Sequence, residues 1–365
     1  MKQKKTSALT AMAIASAVVL AACGGGGGDS TGATAPASSP SGGSSPQTSI
    51  PPQTSVPPTT FPATTMQAAA FAQLNAYRLS MGVGELKQDP ILDTAAQAQA
   101  LYLDSNLVNG SITVLDHNEV STLANFYATT PLDRARKAGA PVTEYIGEDI
   151  SAGLPQASAS AFASDCVTGL LDTVYHQADL TNNAETIGIG FQQMNAATLY
   201  ACALVSGETT GVSGAPIANG LLISGGQQLP TNAVAHAPLS NETGVSLAME
   251  AENTNPAPDV PNPGRPIMVR VNAANPGDVL TVSSFTLTAA GGAVVPARII
   301  VPAAAVTGSA SGVTADPNNL LPPGVAFLLP LTPLSANTTY IVSFTGDRDG
   351  TPVSPQSWSF TTGAN

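Results

Sequence analysis

Basic residues are scarce in this chain. Its 365 residues include 12 Lys and Arg against 24 Asp and Glu, which gives a formal net charge of −12. Lys2, Lys4 and Lys5 lie at the very start, so the rest of the chain has only nine basic residues and a net charge of about −15. Binding to nucleic-acid phosphates needs clustered Lys and Arg, and no such cluster is present. The composition therefore argues against a nucleic-acid partner.

Motifs of several enzyme classes are also missing. The sequence has no His-Glu-x-x-His zinc motif, no phosphate-binding Gly-x-x-x-x-Gly-Lys loop and no Gly-x-Ser-x-Gly nucleophile motif. The glycine run at 24–28 belongs to a linker, not to a nucleotide-binding loop. These absences favour binding over catalysis, because any reaction would depend on residues that are far apart in the sequence.

Long apolar runs are lacking, and the one at the N-terminus is short. Ala8 to Leu20 is apolar and follows the three lysines, but a membrane-spanning helix needs about 20 such residues. A charged start followed by a short apolar run is typical of an export signal, here residues 1–23. The run ends in Leu20-Ala21-Ala22-Cys23, which resembles a bacterial lipobox, in which the cysteine is lipidated. An ordinary cleaved signal with a chance cysteine is the alternative.

The residue after the lipobox bears on location. Gly24 follows Cys23, as in lipoproteins that are sorted to the outer membrane. The resemblance implies a protein anchored by lipid in the bacterial cell envelope, at the outer membrane, and facing the periplasm or the cell surface.

Cysteine is rare, with three in the whole chain. If Cys23 carries lipid, Cys166 and Cys202 remain, and an oxidising compartment favours a disulfide between them. Two separately buried thiols are the alternative. A catalytic cysteine is disfavoured, because neither residue lies beside a histidine in the sequence.

Composition divides the exported chain into four parts. Residues 24–62 are rich in Gly, Ser, Thr and Pro and have too little apolar content to fold, so they are predicted to be a disordered tether. Residues 63–207 form the first globular domain. Residues 208–245 are a connector rich in Gly, Pro and Asn, which contains His236 as a structural or exposed residue. Residues 246–365 have an all-β pattern.

The first domain has helical and strand patterns. Helical spacing predicts helices over Gln67 to Leu79, from Asp89-Pro90 onward, and near Ala157 to Val174. Thr198 to Val205 is apolar on both faces, as in a strand that is covered on both sides. The fold class is therefore α/β, with helices on both faces of a sheet. In the last part, alternation places Trp358 and Phe360 on one face of a terminal strand, in a sandwich core.

Several short segments of the first domain occur in the order of a known family. Over residues 63–207 the chain resembles the bacterial branch of the CAP superfamily (cysteine-rich secretory proteins, antigen 5 and pathogenesis-related 1 proteins). The segments that carry this resemblance are Asn75-Ala76-Tyr77-Arg78, Gly82, Leu86, Asp89, Leu92, Ala95-Ala96, His117, Gly147-Glu148, Tyr175-His176 and Ile187-Gly188-Ile189-Gly190. The resemblance implies a CAP-type α/β/α sandwich.

The family's cavity has two histidines and two acidic residues. The resemblance matches His117, Glu148 and His176 to three of these positions, and Thr173 to the second acidic one. The predicted cluster is therefore a triad, unless Asp172 or Glu119 reaches into the cavity. Two imidazoles and a carboxylate suit a divalent cation, most readily Zn²⁺, with open positions for water or a ligand. Alternatively, the histidines are hydrogen-bonded cavity residues without metal.

The C-terminal part resembles bacterial Ig-like or fibronectin-III-like modules, through Leu334 to Tyr340 and Trp358 to Thr362. Such modules are spacers or adhesive domains, so the resemblance implies an Ig-like β-sandwich.

Three functions follow as hypotheses. The first is a surface-anchored lipoprotein whose cavity binds a divalent cation, a small molecule or a lipid without clear catalysis. The second is a metal-assisted hydrolase, protease-like, with Glu148 as the base and His117 and His176 in the same centre. The third is an adhesin that binds a host or envelope partner through the C-terminal module.

Overall fold

A computed structural model of the chain describes residues 49–196, 198–212, 225–275 and 277–364. The predicted signal, the lipidation site Cys23 and residues 24–48 of the tether lie outside the described residues. Within the described part, no helix is long and apolar enough to cross a membrane. Helices and strands alternate through the first part and strands dominate the second, so the prediction of a mixed α/β chain is confirmed.

The elements are numbered in chain order. The helices are α1 (Met66–Met81), α2 (Pro90–Val108), α3 (Pro131–Ala138), α4 (Ala159–Leu171), α5 (Tyr175–Leu180) and α6 (Ala303–Val306). The strands are β1 (Lys87–Gln88), β2 (Tyr145–Gly153), β3 (Thr186–Gln192), β4 (Tyr200–Glu208), β5 (Val234–Ala237), β6 (Glu242–Val245), β7 (Ile267–Val271), β8 (Leu280–Ala289), β9 (Ala297–Val301), β10 (Val313–Ala315), β11 (Val325–Pro330), β12 (Thr339–Arg348), β13 (Thr351–Pro352) and β14 (Gln356–Thr362).

Local signals set the ends of the longer helices. The Thr65 side chain accepts a hydrogen bond from the backbone N–H of Ala68 and so caps α1, which ends at Gly82 in the left-handed region. Asp89 caps α2 in the same way, and Pro90 occupies its first turn, where no backbone donor is needed.

The first sheet has the strand order β1-β3-β4-β2, with β4 antiparallel to both of its neighbours. Helices α1 and α4 pack on one face, and α2 and α3 pack on the other. The approach of α2 explains the Gly-x-Gly pattern of β3, because a Cβ at Gly188 would lie 2.0 Å from the carbonyl carbon of Leu92. A disulfide joins Cys166 of α4 to Cys202 of β4, as predicted.

Residues 49–62 are ordered, although composition assigned them to the tether. Ile50 donates a backbone hydrogen bond to Gly226 and accepts one from Gln228, at 2.8 Å each. The side chains of Val56 and Phe61 pack against the apolar cluster beneath α1 and α4. These few apolar residues anchor a segment whose average composition is that of a linker, which is why composition alone missed them.

The predicted connector 208–245 contains two strands of the second part. β5 forms the edge of the sheet with order β10-β9-β11-β7-β5, and β6 pairs with β14 in the opposing sheet. Each is only four residues long, too short to show a period. His236, on β5, stacks on the Trp358 ring with 4.0 Å between the centroids.

The second part is a sandwich of two sheets. The second of these sheets contains β6, β14, β12 and β13, and β8 pairs with β12. Their inner faces share one core, in which Trp358 and Phe360 are buried as predicted.

The two parts also share an apolar core. Val83 and Ala178 of the first part pack in one cluster with Ala235, Met268 and Phe327 of the second. The cluster consists of side chains on the outer face of the β7-containing sheet and others near α1 and α5. A functional site can therefore draw residues from both parts, which a spacer on a flexible connector would not allow.

Candidate functional site

One cavity of about 550 Å³ brings the predicted residues together. His117, Glu148 and His176 all line it. Residues 251–254 and Leu320, from the second part, line it as well. The site is therefore formed by both parts of the chain.

Glu148 lies on β2, behind His117. Its Oε1 is 3.0 Å from His117 Nδ1, and its two oxygens accept hydrogen bonds from Arg134 Nη2 at 2.8 and 2.7 Å. Arg134, on α3, is fully buried and also donates to the carbonyl of His117 at 2.8 Å. The adjacent Asp133 forms a capping box with Thr130. Both oxygens of Glu148 are therefore occupied, which leaves it poorly placed to act as a direct metal ligand.

These contacts shift the pKa values of Glu148 and His117 in opposite directions. Burial tends to raise the pKa of Glu148, but the positive charge of Arg134 and the hydrogen bond from His117 outweigh it and lower that pKa. Burial tends to lower the pKa of His117, but the hydrogen bond and charge of Glu148 outweigh it and raise that pKa. Glu148 is thus held as a carboxylate, and a carboxylate with a lowered pKa is a weak general base.

His176 has a carboxylate partner that sequence reasoning missed. Glu252, from the second part, has Oε1 3.0 Å from His176 Nδ1. The same carboxylate accepts the backbone N–H groups of Val174 at 3.0 Å, Tyr175 at 2.8 Å and His176 at 3.2 Å. Helix α5 has no N-cap side chain of its own, so Glu252 caps it from 76–78 residues away. No sequence motif around Glu252 indicates this role.

The other predicted acidic candidates lie outside the cavity. Asp172 pairs with Arg265 Nε at 2.5 Å and accepts a hydrogen bond from Ser246. Glu119 is buried beneath the loop before α3, where it accepts the backbone N–H groups of Tyr127 and Ala128. Neither side chain lines the cavity, because each is already committed to a structural partner.

Thr173 contacts His176 but does not itself line the cavity. Its Oγ1 is 3.1 Å from His176 Nδ1 and donates to the carbonyl of Leu170 at 2.9 Å. The hydroxyl proton is used in the second contact, so Thr173 can only accept from the imidazole. The carboxylate that contacts His176 Nδ1 is therefore that of Glu252, and not of a residue at position 172 or 173.

The carboxylates beside His117 and His176 fix which ring nitrogen carries the proton in each imidazole. The carboxylates of Glu148 and Glu252 accept hydrogen bonds only, so the Nδ1 atoms of His117 and His176 carry the protons. In the neutral form of such a ring the Nε2 atom is an acceptor. Among the described residues, neither Nε2 has a hydrogen-bond partner within the cavity.

A second acidic pair, also missed from the sequence, lines the cavity. Asp149 of β2 and Asp179 of α5 are both buried and share a side-chain hydrogen bond. The Asp179 carboxylate fits against Gly147, where a Cβ would lie 2.8 Å from its Oδ2. Burial and the charge of Asp179 raise the pKa of Asp149 well above its usual range, and Asp149 donates to Asp179. The pair therefore keeps a proton on Asp149 to a higher pH than an isolated aspartate would.

Replacement of Asp149 by asparagine should flatten the pH dependence of stability. Folded Asp149 keeps its proton above the ordinary Asp range of about pH 4, so the native state binds more protons than the unfolded state there. The free energy of unfolding therefore falls as pH rises through this window. Asparagine can still donate to Asp179 and does not ionise. Urea unfolding of both proteins at pH 5, 7 and 9 checks this, and equal slopes would contradict it.

If the cavity binds a metal ion, its protein ligands would be the imidazoles of His117 and His176. Across the described ranges, no three His, Cys, Asp or Glu side chains are arranged to hold a metal ion. Histidines that bind metals do, however, commonly donate their second ring nitrogen to a carboxylate, which is the arrangement of both rings here. Two Nε2 atoms would thus be the protein ligands, and Glu148 would orient one of them.

Comparisons with known proteins do not assign this fold or site. No family model matches the sequence, and no curated protein matches it. Among solved structures, the chain is similar to a DUF4426 family protein from Pseudomonas aeruginosa PAO1, with 16% identity and a TM-score of 0.18 over 28% of this chain and 76% of that chain. A likeness at that TM-score supports no inference about function.

Proposed function

We propose that this protein is a ligand-binding protein of the bacterial envelope and that its cavity holds a small, partly apolar molecule. The observation that carries the proposal is that two imidazoles, each oriented by a buried carboxylate at 3.0 Å, line the same 550 Å³ cavity. Cavities of about 300–1,000 Å³ with an apolar lining and a few fixed polar groups are typical of small-molecule sites. The lipid anchor at Cys23 and the envelope location remain predictions from the sequence.

The walls of the cavity suit such a ligand. Ile146 and Ile150 form part of the inner wall, and Leu115 and Leu320 lie nearer the opening. The polar groups lie mostly on β2 and around α5, and β2 contributes the two isoleucines as well, so one strand supplies both kinds of lining. A divalent cation, Zn²⁺ first, is proposed as an alternative occupant of the two Nε2 atoms, in place of the polar head of such a ligand.

Tryptophan in place of Ala251 should abolish binding of a neutral apolar probe. Ala251 is exposed and lines the cavity, so a larger side chain there would fill its opening without disturbing a buried contact. N-phenyl-1-naphthylamine should gain fluorescence with the parent protein and lose most of that gain with Ala251→Trp. Ala157→Trp, at an exposed alanine outside the cavity, is the matched control. Equal fluorescence with Ala251→Trp and the parent would overturn the proposal.

A hydrolase is the second candidate, with the base reassigned. An imidazole whose Nδ1–H is held by a carboxylate presents Nε2 as a general base, whereas the lowered pKa of Glu148 makes it a poor one. The hydrolase hypothesis predicts turnover of p-nitrophenyl acetate or casein that is lost in His117→Gln and His176→Gln. Turnover that survives both changes would reject it.

The CAP-type arrangement of the first part is proposed as well. Support comes from the helices on both faces of the first sheet and from the position of His117, Glu148 and His176 around one cavity. For the second part, an adhesive role stays a prediction from the sequence, while Glu252 and Leu320 favour a role in completing the cavity.

A further inference from the structure

We propose that the cavity selects small amphiphiles with a hydrogen-bond-donating, cationic head, such as a primary ammonium, and rejects amphiphiles with an anionic head. This inference rests on the proposed ligand-binding function and names the chemical class of the ligand. It follows from three properties of the lining: the sign of its charges, the direction of its hydrogen bonds and the position of its apolar walls.

The charges on the lining are of one sign. Four carboxyl groups, those of Glu148, Asp149, Asp179 and Glu252, line the cavity, and among the described residues no Lys or Arg does. The raised pKa of Asp149 favours its neutral form, so the negative charge comes from the other three. The nearest cation, Arg134, is fully buried and bound to Glu148. An anionic head would therefore be desolvated beside carboxylates without a cation to compensate it, which is costly. A cationic head would meet complementary charge.

The hydrogen-bonding groups point to the same class. The Nδ1 atoms of His117 and His176 face carboxylates at 3.0 Å, so in the neutral ring Nε2 is the acceptor that a donating head can use. Two of the uncharged polar side chains in the lining already donate elsewhere: Tyr175 to Asp316 at 2.5 Å, and Asn253 to the carbonyl of Leu115 at 2.5 Å. The other two are the hydroxyls of Thr113 and Thr254, which can accept as well as donate. A site with more acceptors than free donors discriminates against a ligand without donors, since the acceptors would be left unpaired.

The apolar wall of the cavity favours a ligand that has a hydrocarbon body as well as a cationic head. Ile150 and Leu115 offer hydrocarbon surface beside the acceptors, and Leu320 extends it at the opening. A polyamine without a hydrocarbon body would leave this surface in contact with water. An ammonium on a short alkyl chain satisfies both linings, because it places its donors at the histidines and its chain along the wall.

Three probes of equal chain length test the selection by calorimetry: n-octylammonium, 1-octanol and octanoate, all below their micelle concentrations. We expect octylammonium to bind at least 10-fold more tightly than octanol, and octanoate at least 100-fold more weakly than octylammonium. Spermidine, a cation without an apolar body, should bind more weakly than octylammonium. Because the whole protein is acidic, Ala251→Trp must abolish octylammonium binding, which separates the cavity from the surface.

A positive charge introduced at the opening of the cavity should change the order of affinities among the probes. Leu320 lines the cavity, and its backbone N–H is held by Asp316 independently of its side chain. Leu320→Lys should weaken octylammonium and strengthen octanoate by at least 10-fold each, and the uncharged control Leu320→Gln should not. Equal binding of all three probes to the parent would overturn the selection and leave the proposed function standing. Binding of none of them, with no fluorescence gain of the neutral probe, would reject the proposed function itself.

Discussion

Replacement of Arg134 by methionine should lower the free energy of unfolding by about 3–5 kcal/mol, because it leaves buried carboxylates without their cation. Arg134 binds both oxygens of Glu148, and its Nη1 lies 3.7 Å from Glu119 Oε1. It also donates to three backbone carbonyls that hold the loop before α3, those of His117, Ala128 and Thr129. Methionine fills similar space but supplies neither the charge nor the donors.

Chemical unfolding of the parent and the variant measures this effect. Arg298→Met is the matched control, because Arg298 also binds a carboxylate through two nitrogens, those bonded to Asp259, but at the surface. Little change in stability is expected there, since water solvates both partners once the pair is broken. The double change Arg134→Met with Glu148→Gln should recover part of the loss, because the uncompensated charge is removed as well. Equal stability of Arg134→Met and the parent would show that Glu148 is not held by this pair.

Replacement of Glu252 by alanine should destabilise the protein by about 2–4 kcal/mol and disorganise the histidine on α5. The carboxylate is the only side chain that caps this helix in the described part of the chain. Its loss leaves three backbone N–H groups without their acceptor, and it leaves His176 Nδ1 with Thr173 Oγ1 in place of a carboxylate. The effect exceeds that of an ordinary cap because one group serves both the helix and the imidazole.

Glu252→Gln separates the two roles. The amide oxygen can still cap α5, but the side chain no longer carries the charge that favours a proton on His176 Nδ1. Nitrogen NMR of the imidazoles should show a shift of His176 toward the other tautomer, and Zn²⁺ affinity should fall about 10–100-fold. Glu250→Gln is the control, since Glu250 lies exposed two residues away and its side chain contacts neither histidine. An unchanged tautomer in Glu252→Gln would contradict the positioning role.

Sequence patterns predicted secondary structure correctly where the apolar spacing and the caps lie within one continuous segment. The apolar spacing before residue 82 and the cap at Asp89 predicted α1 and α2, because helix formation depends on neighbours three and four residues apart. Alternation around Trp358 predicted a buried face for the same kind of reason. Patterns failed where segments are short: the four-residue strands β5 and β6 have no readable period and were assigned to a connector.

The sequence by itself determined the acidic composition, and it predicted the disulfide between Cys166 and Cys202, the mixed α/β class and the set His117, Glu148 and His176 as candidates for one site. Only the tertiary structure decided what those side chains do. It turned Glu148 toward a buried arginine and brought a capping carboxylate to His176 from 76 residues further along the chain. It also buried Asp149 against Asp179, where burial and the charge of Asp179 raise the pKa of Asp149. The physical reason is that a buried charge must find a partner in space, and that partner is chosen by packing between distant segments, which no local period records.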